Sequence, residues 1–100
     1  MKYSLKEAGE TLVIALEGNF TFSDHSHFRG VLERLHKGAH KESVFDLAGL
    51  NFIDSTGLGL LVMANDIANR KGFSVRLIQA RGRVRTLLDR AEFGTIMTVE

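Results

Sequence analysis

The sequence predicts a single α/β domain over residues 1–100, with a mixed sheet of four to five strands packed against helices. Apolar runs typical of strands alternate with segments whose apolar residues recur at helical spacing. The first two strand-like runs are separated only by Gly9 and Glu10, which is short enough for an antiparallel hairpin. Helical segments separate the later strands, so these strands should run parallel. The resulting order is β-β-α-β-α-β-α-β.

The first half of the chain predicts the hairpin and one helix. Tyr3–Ala8 alternates as a half-exposed strand does, and Thr11–Leu16 is rich in apolar and β-branched residues, as interior strands are. The connector Asn19–Phe22 carries two aromatic residues that look exposed. They either plug the end of the sheet or belong to an interaction surface. Ser23 or Asp24 should then cap a helix, whose apolar positions are Phe28, Val31, Leu32 and Leu35.

The second half predicts a long central helix between further strands. Ser43–Leu47 predicts the third strand, and Ala48–Asn51 predicts a loop before the helix. The helix should run from about Ser55 to Lys71, with Gly72 as its C′ residue. The remaining elements are predicted at Phe73–Ile78 (strand), Gly82–Ala91 (helix) and Thr95–Val99 (strand).

Composition excludes several classes of function. The net charge of +1 gives no general attraction to nucleic acid or to a membrane surface. Without cysteine, neither a disulfide framework nor a thiolate zinc site can form, and the four histidines lack acidic partners at metal-ligand spacing. The polar N-terminus does not read as a signal peptide, and the longest apolar run, Leu58–Ala64, is too short to span a bilayer. We therefore expect a cytoplasmic protein with no metal or other cofactor.

An acid, two hydroxyls and a glycine, Asp54-Ser55-Thr56-Gly57, lie at the start of the predicted central helix. Asp, Ser and Thr cap helix N-termini because their side-chain oxygens accept otherwise unpaired backbone N–H groups. A cap needs only one such group, so three in succession exceed that requirement. The alternatives are a plain cap, an anion site, a nucleophile and a phosphorylation site.

Two of these alternatives lack residues that their chemistry requires. A nucleophile elbow needs a glycine two residues before the serine, but Ile53 occupies that position. All four histidines precede Ser55, so no general base follows it in the order that the elbow fold uses. A Walker loop needs Gly-Lys-Ser/Thr, and no lysine lies near Ser55. The chain is therefore not expected to be an enzyme or a nucleotide-binding protein.

A phosphoacceptor fits the segment better. Phosphate on Ser55 would place about two negative charges at a helix N-terminus, where the helix dipole favours them. The same charge would disrupt a partner packed on the surrounding apolar and small residues. The fold would persist while its binding surface changes charge, which is the behaviour of a switch.

The predicted third helix carries a basic cluster: Arg81, Arg83, Arg85 and Arg90. Asp89, Glu92 and the overall charge balance favour a solvated helix face. A docking surface for an acidic partner is the main alternative.

Three features together carry a resemblance to a known family: a hydrophobic strand followed by Phe52-Ile53-Asp54-Ser55-Thr56-Gly57-Leu58-Gly59, a strand closed by Gly18, and the order of elements. Over nearly its whole length the chain resembles the STAS-domain family of bacterial anti-sigma factor antagonists. The resemblance implies that Ser55 is the phosphorylated serine, with Thr56 as the alternative. It also implies that the unphosphorylated domain binds a serine kinase that is also an anti-sigma factor. Phosphorylation ends this binding, and a separate phosphoserine phosphatase restores it.

The resemblance further implies a binding surface around Ser55. Antagonists often read Gly-Glu-Leu-Asp after the second strand, where this chain reads Gly18-Asn19-Phe20-Thr21. Thr21 thus replaces an acid that in the family lies close to the phosphoacceptor. The predicted partner-binding residues come from the connector and the start of the central helix: Asn19, Phe20, Thr21, Phe22, Asp54, Ser55, Thr56, Gly57, Leu58, Leu61 and Val62.

Other functions and assemblies stay open at this point. STAS domains also serve as accessory subunits of lipid or anion transport systems, and in partner switches whose output is not a sigma factor. Few polar residues interrupt Leu58–Ala68, so the central helix should be buried on most sides, within the domain or against a partner. A homodimer through this apolar helix is a further alternative.

Overall fold

The two N-terminal strands form the predicted hairpin. In the computed structural model, which describes residues 1–100, β1 spans Lys2–Ala8 and β2 spans Thr11–Phe20. The strands pair antiparallel along the whole of β1. Gly9 adopts a φ of 62°, a left-handed conformation that glycine takes in the turn without steric cost.

The rest of the sheet is parallel, and its strands follow one another in chain order. The elements after the hairpin are α1 (His25–Lys37), β3 (Glu42–Ile53), α2 (Ser55–Arg70), β4 (Ser74–Ile78), α3 (Gly82–Arg90) and β5 (Thr98–Val99). The five strands lie in the order β1-β2-β3-β4-β5, with β2 to β5 parallel. Each crossover advances the same way across the sheet, so right-handed connections place all three helices on one face. The predicted element order and mixed sheet are confirmed.

A single core lies between this helical layer and the sheet. Side chains from β2, β3 and β4 meet side chains from all three helices in one continuous apolar cluster. Its fully buried members include Ile14, Leu16, Phe28, Leu35, Phe45, Leu61, Leu77 and Leu88. None of the helices combines the length and the hydrophobicity that a membrane-spanning helix requires.

The third strand is longer than predicted, and the expected loop at Ala48–Asn51 is wrong. β3 continues to Ile53 because β2 also continues, and the two stay paired across two register irregularities. Gly49 lies opposite Glu17, where a Cβ would approach the Glu17 Cγ to 2.9 Å. Glycine and polar residues in a strand often mark such bulges. The extension carries both strands beyond the end of β4.

The helix boundaries agree closely with the predictions, while two terminal details differ. α2 ends at Arg70, and Gly72 has a φ of 83°, as expected of a C′ glycine. Before α1, a short 3₁₀ turn spans Phe22–Asp24, and neither Ser23 nor Asp24 caps α1 through its side chain. The last strand, β5, is shorter than the predicted Thr95–Val99 and spans only Thr98–Val99. The reason is that Phe93–Thr95 forms another 3₁₀ turn.

Candidate functional site

The predicted phosphoacceptor lies where two strands end and the central helix begins. Phe20 at the end of β2 pairs with Ile53 at the end of β3. The backbone N–H of Asp54 donates to the carbonyl oxygen of Phe20 at 3.1 Å, which fixes the turn into α2. Ser55 is the first residue of α2. The site therefore lies at the carboxyl ends of parallel strands, the usual place for ligand-binding residues in α/β sheets.

Asp54 joins two segments through one carboxylate. Its Oδ1 accepts a hydrogen bond from the backbone N–H of Gly57 at 2.9 Å and so caps α2. Its Oδ2 accepts a hydrogen bond from the backbone N–H of Phe22 at 3.0 Å. The sequence predicts the cap but not the second bond, because Phe22 lies 32 positions earlier. Asp54 thereby holds the connector beside the start of the helix.

Gly57 lets the helix start approach the end of β2. A Cβ on Gly57 would lie 2.7 Å from the carbonyl oxygen of Phe20 and 2.7 Å from Cγ1 of Ile53. A Cβ atom does not approach other heavy atoms this closely, so a side chain here would force its neighbours or the helix start to shift. The spacing of the two segments therefore depends on the absence of a side chain at this position.

The two hydroxyls that follow the cap differ in accessibility. Ser55 is exposed, and its hydroxyl forms no hydrogen bond within the chain. Thr56 is half-buried. Because a modifying enzyme must reach the hydroxyl oxygen, the structure makes Ser55 the more accessible of the two candidate acceptors.

Most of the predicted binding residues are accessible, and we refer to them together as the Ser55 face: Asn19, Thr21, Phe22, Asp54, Ser55, Thr56, Leu58 and Val62. Phe22 is 74% exposed, which is unusual for so large an apolar side chain. Met63, 46% exposed on α2, was not among the predicted residues. Met63 lies seven positions after Thr56, two turns along the same side of the helix, and this spacing is the signal that could have found it.

Three predicted binding residues have no exposed side chain to offer a partner. Phe20 and Leu61 are fully buried in the core, and Gly57 is buried against the end of β2. The expected exposure of Phe20 is wrong because its ring packs on Phe28, with the ring centroids 4.8 Å apart. Of the two aromatic residues in the connector, only Phe22 lies at the surface.

The buried residue Asp24 lies next to the connector, and the sequence suggests it only as a helix cap. The Asp24 carboxylate accepts hydrogen bonds from the backbone N–H of Thr21 and from the Met1 ammonium, both at 2.9 Å. Burial acts to raise the pKa of Asp24, but the Thr21 amide, the Met1 ammonium and the nearby His27 outweigh it. The pKa therefore lies below its ordinary value of 3.8. The chain thus has an acid, Asp24, three positions after Thr21, but its carboxylate is engaged by the Thr21 amide and the Met1 ammonium.

Acidification is expected to remove stability that depends on Asp24. A lowered folded-state pKa means that the ionised carboxylate stabilises the fold above pH 3.8, and that this contribution is lost as the pH falls through the lowered pKa. Asp24→Asn should therefore be less stable than the parent at neutral pH, with a difference that shrinks toward low pH. Urea unfolding at a series of pH values measures it.

Glu7 provides the control for this titration. Its hydrogen bond from Arg34 lowers the pKa of Glu7 as well, but its side chain is 59% exposed. Solvent screens such surface pairs, so Glu7→Gln should change the pH dependence little. A stability difference for Asp24→Asn that stayed constant with pH would contradict the role assigned to its charge.

Known proteins resemble this chain in sequence or in structure. A STAS-domain containing protein of Pseudomonas aeruginosa (strain UCBPP-PA14) is 29% identical over 91 residues, which cover 91% of this chain and 89% of that protein. The anti-sigma factor antagonist SpoIIAA in its unphosphorylated form superposes with a TM-score of 0.77 at 21% identity, covering 99% of this chain and 87% of that chain. SpoIIAA in the phosphorylated form, described as a Bacillus cell fate determinant, gives a TM-score of 0.75 at 21% identity, covering 99% and 91%.

A transport protein shares the fold too. The structure of a sulfate transporter family protein from Wolinella succinogenes gives a TM-score of 0.73 at 21% identity, covering 86% of this chain and 70% of that chain. Structural similarity at these identities shows a common fold and nothing more specific. The family model described as "Mlab, STAS domain" matches residues 3–99, and the chain therefore belongs to the STAS-domain family.

Proposed function

We propose that this chain is an anti-sigma factor antagonist in a partner-switching pathway. In its unphosphorylated form it binds a serine kinase that is also an anti-sigma factor, and phosphorylation of Ser55 ends the binding. One observation carries the proposal: Ser55 has an accessible, unbonded hydroxyl at the start of α2, directly after Asp54, whose carboxylate binds the backbone N–H of the exposed Phe22. The fold shared with SpoIIAA, which is known in an unphosphorylated and a phosphorylated form, is consistent with it.

The position of Ser55 accounts for a change in binding without unfolding. A phosphoserine carries about −1.5 to −2 charges at neutral pH. At the first residue of α2 these charges face the positive end of the helix dipole, so the domain tolerates them. The Asp54 cap uses the amides of Gly57 and Phe22, neither of which depends on the Ser55 hydroxyl.

The Ser55 face explains why a partner would respond to that charge. Exposed aromatic residues are frequent anchors in protein interfaces, and Phe22 is accompanied by the partly accessible apolar residues Leu58 and Val62. A partner that covers this surface excludes water from it. A charge placed at its centre then loses hydration without gaining a counter-ion, which weakens binding.

In this proposal the chain acts by binding and the chemistry belongs to its partners. The kinase transfers the phosphate to Ser55, and a separate phosphoserine phosphatase removes it. No histidine, lysine or carboxylate forms a hydrogen bond with the Ser55 hydroxyl, so in this proposal the activating base comes from the kinase.

Peptide mapping by mass spectrometry of the protein from its own cells tests the modification. We expect the peptide that contains Ser55 to carry one phosphate in part of the population, and treatment with a phosphatase to remove it. The fragmentation spectrum assigns the phosphate to Ser55 or to Thr56. If the peptide stays unmodified under every growth condition, the proposed switch is wrong.

An accessory subunit of a membrane transport system is the second candidate. The fold shared with a sulfate transporter family protein favours it. In that case Ser55 and Thr56 would serve only as helix-start and contact residues. Affinity purification separates the two candidates, because a transport subunit should retain an ATPase or membrane component whether or not Ser55 is replaced by aspartate.

A further inference from the structure

We propose a second interaction surface, a groove along α3 that binds an acidic segment of a partner protein through its carboxylates and one apolar side chain. The groove is lined by Phe52, Arg83, Thr86, Leu87 and Arg90, and its volume is about 220 Å³. It does not include Ser55 or Phe22, so the inference goes beyond the proposed switch and does not depend on it.

The long third strand creates one wall of this groove. The pairing of β3 with β4 ends at Asp46 and Ile78, so the last part of β3 has no strand on that side. α3 lies beside this part of β3 instead, and Arg81 donates to the carbonyl oxygen of Ala48 at 2.7 Å. The edge of β3 that β4 leaves unpaired is therefore covered by α3, and the half-buried Phe52 faces this helix.

The helix supplies the other wall in a regular pattern. Arg83, Thr86, Leu87 and Arg90 recur at the spacing of one helical face. The Arg83 guanidinium lies over the Phe52 ring, 5.1 Å from the ring centroid, within the range of a cation–π contact. Leu87 is half-buried, while both arginines are exposed. The groove thus has an apolar floor between two cationic side chains.

Residues 81–90, which include α3, carry a net positive charge, whereas the rest of the chain is net negative. Residues 81–90 contain four arginines and one aspartate, a net charge of +3, whereas the whole chain carries +1, so the other residues together carry −2. The one aspartate, Asp89, is engaged by Arg85 at 3.3 Å. No carboxylate pairs with Arg83 or Arg90. These two guanidinium groups are available for the paired hydrogen bonds that arginine makes with carboxylates.

The combination of charges and apolar floor selects the class of partner. A free phosphate would use the arginines but not Phe52 or Leu87. A flat anionic bilayer cannot reach the floor of a recess, and the negative charge of the remaining chain opposes it. An acidic peptide segment with one leucine or phenylalanine uses both features, with its apolar side chain on the floor and carboxylates on either side.

A labelled peptide tests this inference with the full-length protein. The probe is a fluorescent peptide in which glutamates flank a single leucine, and fluorescence anisotropy measures its binding. Arg83→Glu and Arg90→Glu should each weaken binding by about tenfold, the loss expected for a charge-assisted hydrogen bond. Phe52→Ala should weaken the binding of this peptide more than it weakens the binding of a control peptide with serine in place of the leucine.

Arg29→Glu is the matched control, because it makes the same charge change at an exposed position of α1, on the other side of α2 from α3. It should leave peptide binding nearly unchanged, and circular dichroism should show that all the variants are folded. Absence of peptide binding overturns the inference, as does an equal loss with Arg29→Glu. Displacement by inorganic phosphate, or Arg83-dependent binding to phosphatidylglycerol vesicles that exceeds peptide binding, overturns it in favour of a general anion site.

The outcome is separable from that of the proposed switch. Ser55→Asp should leave binding of the acidic peptide unchanged, since Ser55 does not line the groove. If the peptide does not bind, the proposal that Ser55 is phosphorylated still stands. If Ser55 is never modified, the proposal that the groove binds an acidic segment still stands.

Discussion

Gly57→Ala is expected to destabilise the domain by about 1–3 kcal/mol, the usual range for overpacking a close contact. The added methyl group would lie 2.7 Å from the Phe20 carbonyl oxygen and 2.7 Å from Ile53 Cγ1. One of these atoms belongs to the backbone of β2 and the other to a fully buried side chain, so neither can move aside cheaply. The start of α2 must shift instead, which strains the Asp54 hydrogen bonds to Gly57 and Phe22.

Gly59→Ala is the matched control for that substitution. Gly59 lies two residues after Gly57, on the exposed side of α2, and a Cβ there meets no atom within 4 Å. Alanine in a helix interior is favoured over glycine by about 0.5–1 kcal/mol, so this variant should be slightly more stable than the parent. Chemical denaturation of the two variants measures both effects. Equal stabilities would mean that the close packing at Gly57 does not limit the fold.

The elements that could be predicted are those specified by local sequence. α2 has a cap in Asp54 at one end and a C′ glycine in Gly72 at the other, and both are used as expected. The hairpin follows in the same way from a short turn between two apolar runs. Such signals depend on residues within a few positions of one another, which is why they can be recognised without a structure.

The extension of β3 could not be predicted because it depends on a partner strand. Ala48–Asn51 has the composition of a loop, and the segment is a strand only because β2 continues past Gly18 and stays paired through a bulge. The groove beside α3 depends on the same extension, since it forms where β4 stops and β3 does not. The arginines could be counted from the sequence, but their position beside Phe52 could not.

The candidate site also has a part that the sequence predicts and a part that it does not. The positions of Asp54 and Ser55 at the helix start follow from the capping pattern, whereas the burial of Phe20 and the exposure of Phe22 do not. The strand ends at Phe20, whose ring packs in the core, and the 3₁₀ turn that follows directs Phe22 outward. Two aromatic residues two positions apart thus differ completely in exposure because the backbone changes conformation between them.

A second large effect is expected for substitutions of Ser55. Ser55→Ala should bind the serine kinase constitutively, while Ser55→Asp should bind it at least about tenfold more weakly, because the charge loses hydration at the interface. Aspartate carries about half the charge of phosphoserine, so full phosphorylation should weaken binding further. Tagged forms of both variants, expressed in the native cells, recover the kinase, and calorimetry with the purified kinase then measures the affinities.

Ser74 supplies the matched control for the charge itself. It is exposed at the start of β4, the end of the sheet opposite to Ser55. Ser74→Ala and Ser74→Asp should bind the kinase equally well, since a surface charge there lies outside the Ser55 face. Both Ser55 variants should unfold at nearly the same denaturant concentration as the parent, because the Asp54 cap remains in place. Equal affinities of the two Ser55 variants for the kinase would rule out the switch. A loss of affinity in Ser55→Asp alone would show that negative charge at the start of α2 weakens kinase binding.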